Sequence, residues 1–340
     1  RTQTFLPPVM KPFTRDGEYI SPYNDAIRKM DKALVDLDSI IMSRCIEEYS
    51  ERIIKGLLER KIEKLSPLDM DSAVNGAYMD DYISRINTST GGGYGFSGKK
   101  SRHLLDLSLE EEKFLYREPT GELKQRILEI FSKYRQGEIA GCVFESQLKD
   151  EARSSEKVMQ GKTRLFYMTP LDYLVVSRML LAPFYSLVVE HGDIFCTSVG
   201  INMHSNANEV VEAMQIHGGE TIIEGDYSGW DLSNPFDIAQ ARSTVIYRVL
   251  QRMGYSGEAL NMVQGILSED LFPHLSILTD VLVKPGCVPS GKFGTAEDNS
   301  MRGVLMLMYA WYEIMGVDTK YCFFDHVVPR TYGDDVLASV

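Results

Sequence analysis

The 340-residue sequence predicts an α+β fold built on an antiparallel sheet, on three observations. A β-branched run, Thr221-Ile222-Ile223, follows the turn signal Gly218-Gly219 and reads as a buried strand ending at Asp226. Two long helical patterns follow it, separated by a stretch of β-formers. Tyr332-Gly333-Asp334-Asp335 then sits between two strand-like stretches, and Gly-Asp at such a junction signals a tight hairpin. This order places Asp226 at the end of one strand and Asp334-Asp335 in a turn between two others. If those strands are neighbours, the carboxylates converge despite their separation in sequence.

The elements can be justified in order. The N-terminal stretch, rich in Pro and aromatics, reads as extended, and a helical pattern runs from about Asn24 to Leu65 with Ile27, Met30, Leu34, Leu37 and Ile41 on one face. A glycine-rich turn occupies Gly91–Gly98, and the apolar segment Met168–Leu187 reads as helix. Ser233-Asn234-Pro235 combines a capping side chain with Pro at a first turn, so a helix starts there and runs to about Met253, with Gly254 as its left-handed terminator. Leu271–Val283 reads as a hairpin about Thr279-Asp280. Thr295 is expected to cap the second helix, at capping-box spacing from Asp298, and Gly316 to end it. Pro329 and Arg330 make the strand before the last turn a poor central strand, while Val336–Val340 forms the strand after it.

Composition is that of a soluble globular protein, at 44% apolar and 25% charged. The longest apolar run, near Leu180–Val189, is interrupted by Pro183 and reads as core; no membrane span or signal peptide is expected. The chain begins at Arg1 without Met, as a processed product or an excerpt would. Five scattered cysteines with no CxxC pair point to reduced thiols without structural zinc. The six histidines lack zinc-hydrolase spacing, and no G-x-S-x-G elbow is present. The net charge of −12 is unusual for a nucleic-acid binder, but binding follows the local field, and Lys99-Lys100-Arg102 and residues 149–164 are basic clusters.

Three clusters carry the chemistry: Gly225-Asp226-Tyr227-Ser228-Gly229-Trp230-Asp231, Pro289-Ser290-Gly291 with Thr295 and Asn299, and Tyr332-Gly333-Asp334-Asp335. A D-x4-D pair or a GDD alone is ordinarily a solvated loop or a plain turn. In this order and spacing the three resemble motifs A, B and C of viral RNA-dependent RNA polymerases, closest to the picorna-like group. The resemblance implies a right-hand fold with fingers and a palm. Residues 1–180 would be fingers, 181–266 palm, 267–287 a fingers hairpin and 288–340 palm again. It further implies two Mg2+ ions, replaceable by Mn2+, held by Asp226 and Asp334 with Asp335 and the Tyr227 carbonyl auxiliary. Two such ions can activate a 3′-hydroxyl and stabilise a pyrophosphate leaving group. Asp231, Asn299 and Thr295, with Ser290 and Gly291, would recognise the ribose; Thr295 and Asn299 share one helical face, and a 2′-hydroxyl both donates and accepts.

Residues 149–164 resemble motif F, with Lys149, Arg153, Lys157, Lys162 and Arg164 matching by position; Lys149 and Arg164 are expected closest to the triphosphate. Thr90, Gly93 and Tyr94 match the template-guiding motif G loosely, with Gly91 and Gly95 departing from its pattern, and Lys99 and Lys100 suit RNA backbone contact. The same loop satisfies G-x-G-x-x-G and G-x-x-x-x-G-K, but a P-loop needs a preceding buried strand and Ser or Thr after the Lys, where Lys100 stands. The implied partners are template and primer RNA, ribonucleoside triphosphates, a viral protein primer and other replication proteins, at replication complexes in the host cytoplasm. Motifs D and E and the thumb are expected beyond Val340, so little processive activity is expected of the chain as given. A reverse transcriptase, a non-catalytic RNA-binding scaffold and a P-loop NTPase are the competing readings. They are separated by sugar preference, by dependence on Asp226 and Asp334, and by dependence on Lys99.

Overall fold

The computed structural model describes residues 4–31, 35–107, 116–227 and 229–340. Its antiparallel sheet has three strands in the order Val328–Tyr332, Asp335–Ser339, Ile222–Asp226. The hairpin is tight because Gly333 turns at φ +61°. Pro329 lies on the outer strand, where a missing N–H is tolerated. The Ile222–Asp226 strand forms as expected but is not buried. It is the other edge of the sheet, and Ile222 and Ile223 are 40% and 52% exposed.

The Thr295–Met315 helix packs beneath this sheet, with Gly303 against Thr331 and Val336. The expected cap is corrected. Gly294, in the left-handed region, is the N-cap, and Thr295 is the first helical residue, its hydroxyl donating to the Lys292 carbonyl (2.6 Å). Asp298 does not close a capping box, because its carboxylate turns into the core. The Phe236–Arg252 helix starts one residue after Pro235 and terminates at Gly254, φ +85°. Before it, Trp230–Ser233 forms a separate short helix. Gly257–Leu271 is a further helix, capped by Ser256, that the sequence pattern did not single out.

The continuous Asn24–Leu65 pattern is two helices, Asn24–Met30 and Ser39–Glu59. The break is chemical: the Asp38 carboxylate accepts from Ile40 and Ile41 N–H (2.8 and 3.1 Å), and such a side chain starts a helix rather than continuing one. Leu34 lies outside the described residues. Met168 belongs to the Leu165–Met168 strand, and the helix expected there runs Leu171–Glu190. By length and composition this helix could cross a membrane, but 78% of its most apolar window is buried inside the protein, as a core helix is. All five cysteines are free.

A second sheet joins distant segments: Val143–Leu148 pairs antiparallel with Leu165–Met168 and parallel with His274–Ile277, the inner strand of the expected hairpin with Asp280–Val283. The N-terminal stretch does more than extend. Phe5–Leu6 pairs with Arg153–Ser154, and the Thr163 hydroxyl donates to the Val9 carbonyl (2.7 Å), strapping it over the basic loop.

Where the Phe236–Arg252, Gly257–Leu271 and Thr295–Met315 helices meet, the core contains charges. Asp270 and Asp298 are buried with Arg242, Lys292 and Arg302. Lys292 bridges the two carboxylates, at 2.5 Å to Asp270. Arg242 lies 3.6 and 3.4 Å from them. Tyr173 and Tyr185 donate to Asp270 (2.5 Å) and Asp298 (2.7 Å). Burial alone would raise the Asp298 pKa, but Arg242, Lys292 and Arg302 hold it down at about 2. A depressed carboxylate stabilises the fold above its unfolded pKa and loses that contribution as pH falls toward the folded value. Asp298→Asn leaves three cations around one carboxylate and is expected to destabilise by about 3–5 kcal/mol at neutral pH. In urea titrations the deficit should shrink between about pH 4 and pH 2.

Candidate active site

The register of the three-stranded sheet sets Asp335 opposite Asp226, followed by Val336 opposite Gly225. Cross-strand partners project from the same face, and both residues line a cavity of about 890 Å³ with Arg330 and Tyr332. The Tyr227 N–H points to the Asp334 carbonyl at 3.4 Å, tying the strand end to the turn. Asp226, Asp334 and Asp335 are all exposed, and among the described residues none is paired with a cation. Also among the described residues, no three acidic, His or Cys side chains gather tightly enough to cage an ion. That donor set suits Mg2+, which binds through one or two carboxylates together with substrate phosphates and water rather than in an all-protein cage.

Asp231 sits on the Trp230–Ser233 helix, which Gly229 starts from a left-handed conformation. Its carbonyl accepts from the Val288 N–H (2.8 Å), joining it to the segment leading into the Ser290 loop. Burial raises the Asp231 pKa, and Asp334 raises it further; Arg164, Lys149 and a hydrogen bond from Asn299 oppose the rise. Asp231 therefore senses groups from four separate stretches of sequence at once.

The Ser290 loop is a turn closed by the Lys292 N–H to the Pro289 carbonyl (2.9 Å), with Ser290 and Gly291 at its centre. Gly291 is required by contact rather than by conformation: a Cβ there would lie 2.0 Å from the Tyr167 carbonyl oxygen. The Thr169 hydroxyl holds the Gly291 carbonyl at 2.8 Å. Two buried polar atoms in this region, Ser290 Oγ and Asn299 Oδ1, have no hydrogen-bond partner. Asn299 lowers the Asp231 pKa from nearby, and its buried Oδ1 is an acceptor without a partner. A hydroxyl and an acceptor left open near a carboxylate form a site for a ligand hydroxyl that both donates and accepts.

Of the five basic-loop residues, Lys149 and Arg164 act electrostatically on Asp231. They terminate paired strands, with the Lys149 N–H on the Arg164 carbonyl (2.9 Å). Arg153 is turned to Glu151 (3.3 Å), whereas Lys157 and Lys162 are exposed with no ion pair among the described residues. In the glycine loop, Gly93 adopts φ +80° and packs against Thr169 and Pro170, where a Cβ would approach backbone atoms to 2.6 Å. Thr90 and Tyr94 are exposed, as is Lys99, but the Lys100 ammonium closes the loop on Thr90 Oγ1 (2.6 Å) and the Gly91 carbonyl (2.8 Å). Burial lowers the Lys100 pKa accordingly. Residues 76–90 ahead of the loop form turns rather than a strand, so no phosphate-binding strand–loop–helix is built here. Sequence reasoning missed Lys292. Its signal was a lone charge within an otherwise uncharged loop, Pro289–Gly294.

A family model described as viral RNA-dependent RNA polymerase matches residues 14–340. Among similar curated proteins, the genome polyprotein of human hepatitis A virus genotype IIIA is 28% identical over 326 residues, covering 92% of this chain and 14% of the polyprotein. That of human parechovirus 2 (strain Williamson) is 26% identical over 277 residues, covering 80% and 11%. The replicase polyprotein of Drosophila C virus is 22% identical, covering 99% and 20%. The chain thus spans a small part of each of these polyproteins. The solved Sicinivirus 3Dpol RNA-dependent RNA polymerase superposes with a TM-score of 0.80 at 19% identity, covering 100% of this chain and 67% of that one.

Two substitutions test the site. Gly291→Ala is expected to destabilise by about 1–3 kcal/mol through overpacking against Tyr167; thermal unfolding measures it. Asp231→Asn should do the reverse. A carboxylate with a raised folded pKa loses stability as pH rises past its unfolded pKa. The Asn variant should therefore melt above the parent at pH 7, with the gap closing as pH falls through the carboxylate range.

Proposed function

Because this chain belongs to the viral RNA-dependent RNA polymerase family, we propose that it performs RNA-templated RNA synthesis by two-metal nucleotidyl transfer, in the replication of a positive-strand RNA genome. The observation that carries the reading is the sheet register that sets Asp335 opposite Asp226. It is supported by Asp231, whose pKa responds to Asp334, Arg164, Lys149 and Asn299.

In this reading Asp226 and Asp334, with Asp335 and the Tyr227 carbonyl, hold two Mg2+ ions, for which Mn2+ can substitute. When bound, the ions activate the primer 3′-hydroxyl and balance the charge of the departing pyrophosphate. The remaining work belongs to the chain. Lys149 and Arg164 meet the triphosphate oxygens, Arg164 by a planar fork and Lys149 as a point charge. Asp231 accepts from the ribose, and the free Asn299 oxygen and Ser290 hydroxyl complete the contacts to the 2′-hydroxyl. Thr295 acts through the loop, since its hydroxyl is committed to Lys292. Arg153, Lys157 and Lys162 line the approach for nucleotides. Thr90, Gly93, Tyr94 and Lys99 guide template RNA, while Lys100 braces that loop from within.

Residues 1–180 act as fingers and 181–266 with 288–340 as palm. The assignment of 267–287 to the fingers is supported by the pairing of His274–Ile277 with Val143–Leu148. Template, primer RNA and ribonucleotides are the partners, with a protein primer and other replication proteins in the host cytoplasm.

The test is Mg2+-dependent primer extension on an RNA template by the full polymerase polypeptide that contains this chain. Ribonucleotides should be incorporated in preference to deoxynucleotides, and Asp334→Ala should reduce incorporation to background. Incorporation that survives this substitution would overturn the metal assignment. RNA binding without incorporation by the parent would overturn the enzymatic reading.

A further inference from the structure

Lys292 lies two residues beyond Ser290, and its side chain is 3% exposed. Its backbone ties both ends of the Ser290 turn, donating to Pro289 O and accepting from Thr295 Oγ1. Its side chain leaves the turn and enters the charged core, where the ammonium bonds both Asp270 and Asp298. The neighbouring Phe293 ring is braced by Tyr82 and Tyr185 (centroids 5.9 and 5.8 Å), with the Arg178 guanidinium over it at 5.3 Å. Gly294 admits no side chain, since a Cβ would lie 2.3 Å from the Tyr185 ring. The turn is thus fixed on its inner side, and at its tip it carries a buried Ser290 Oγ with no hydrogen-bond partner.

We propose that Lys292 is the positioning residue of the ribose-recognition loop. Its ammonium, anchored between Asp270 and Asp298, sets where Ser290 and Gly291 stand relative to Asn299 and Asp231. The inference rests on the ribose-selecting reading of those residues.

Charge balance distinguishes this role from neutralising the core. Asp270 and Asp298 face three buried cations, Arg242, Lys292 and Arg302, whose charges act on Asp298 together. Without Lys292, Arg242 still lies 3.6 and 3.4 Å from Asp270 and Asp298, and Arg302 still acts on Asp298. Lys292 alone among the three cations is on the loop, and its flexible stem and compact charge suit a tether. Arg242 and Arg302 sit on the helices Phe236–Arg252 and Thr295–Met315; Arg302 holds the Gly286 carbonyl (2.7 Å), upstream of residues 289–294.

The experiment compares Lys292→Met and Lys292→Arg in the full polymerase polypeptide containing this chain. Three readouts are taken: thermal midpoint, amide hydrogen exchange over residues 289–294, and single-nucleotide incorporation with a ribonucleotide and its 2′-deoxy analogue. Lys292→Met is expected to fold, with a midpoint within about 5 °C of the parent. Exchange should rise across 289–294 while the Thr295–Met315 helix keeps its protection. Preference for the ribonucleotide should fall by about 10- to 100-fold, through both KM and kcat. Lys292→Arg, which keeps the charge, should recover most of that preference.

Unchanged exchange in a folded Lys292→Met protein would overturn the proposal regardless of activity. Failure of that variant to fold would overturn it too, as the mark of a core charge rather than a tether. Increased exchange with unaltered sugar preference would overturn the functional part. A parent enzyme with no incorporation would instead sink the polymerase reading itself, which the exchange measurement does not depend on.

Discussion

Two carboxylates in the middle of the protein, Asp270 and Asp298, constrain everything around them. A buried ionised group is tolerated only when paired and hydrogen-bonded. Here the pairing partners come from the Phe236–Arg252 helix, the Thr295–Met315 helix and the Ser290 loop, with tyrosines from the Leu171–Glu190 helix. These partners hold the two carboxylates jointly, so the ionic core ties the helices and the loop to one another. A hydrophobic core of the same volume would hold the helices at least as well. What it would not do is prescribe the position of a loop whose tip carries an unpartnered hydroxyl. The ionic core has the character of a device for conformational specificity, located beneath the residues that need it.

Two aspartates on either side of the Ser290 loop show how environment divides labour between identical side chains. Asp298 is surrounded by cations and held ionised down to about pH 2. Asp231 is raised by burial and by Asp334, with only partial relief from Arg164, Lys149 and Asn299. The first is fully satisfied and structural. The second keeps unmet electrostatic demand and faces open polar atoms, the condition expected of a group whose partner is a ligand. Asp226, Asp334 and Asp335 differ from both, being exposed and without cation partners among the described residues.

Much of this was legible in the sequence where local chemistry decides. Strand and turn signals placed Asp226 and Asp335 at strand ends, and their convergence depended on the strands being neighbours, which the register shows. The terminators Gly254 and Gly316 and the hairpin about Thr279 were equally local. What failed was decided by tertiary partners. Thr295 has a capping side chain, but Gly294 takes the cap, because the chain must pass the Tyr185 ring where no Cβ fits. Asp298 has capping-box spacing, but the core cations claim it. Ile222 and Ile223 have the composition of a buried strand and lie on an exposed edge.

The net charge of −12 is unusual for a nucleic-acid binder, and the arrangement of charges bears on it more than their sum. The ionic core does not account for it, since Asp270 and Asp298 face three cations there. What matters is where the basic residues stand relative to the carboxylates of the site. Lys149 and Arg164 are placed by the paired strands Val143–Leu148 and Leu165–Met168, with the N-terminal strap pinning the loop between them. Glu151 lies 3.3 Å from Arg153 and 3.6 Å from Arg164, so part of the loop's positive charge is offset locally. A triphosphate carrying metal ions needs acid and base within a few ångströms of each other, and a uniformly basic surface would supply only one of them. The sign of the whole chain is therefore a poor guide to its ligand, whereas the pairing of each charge is a good one.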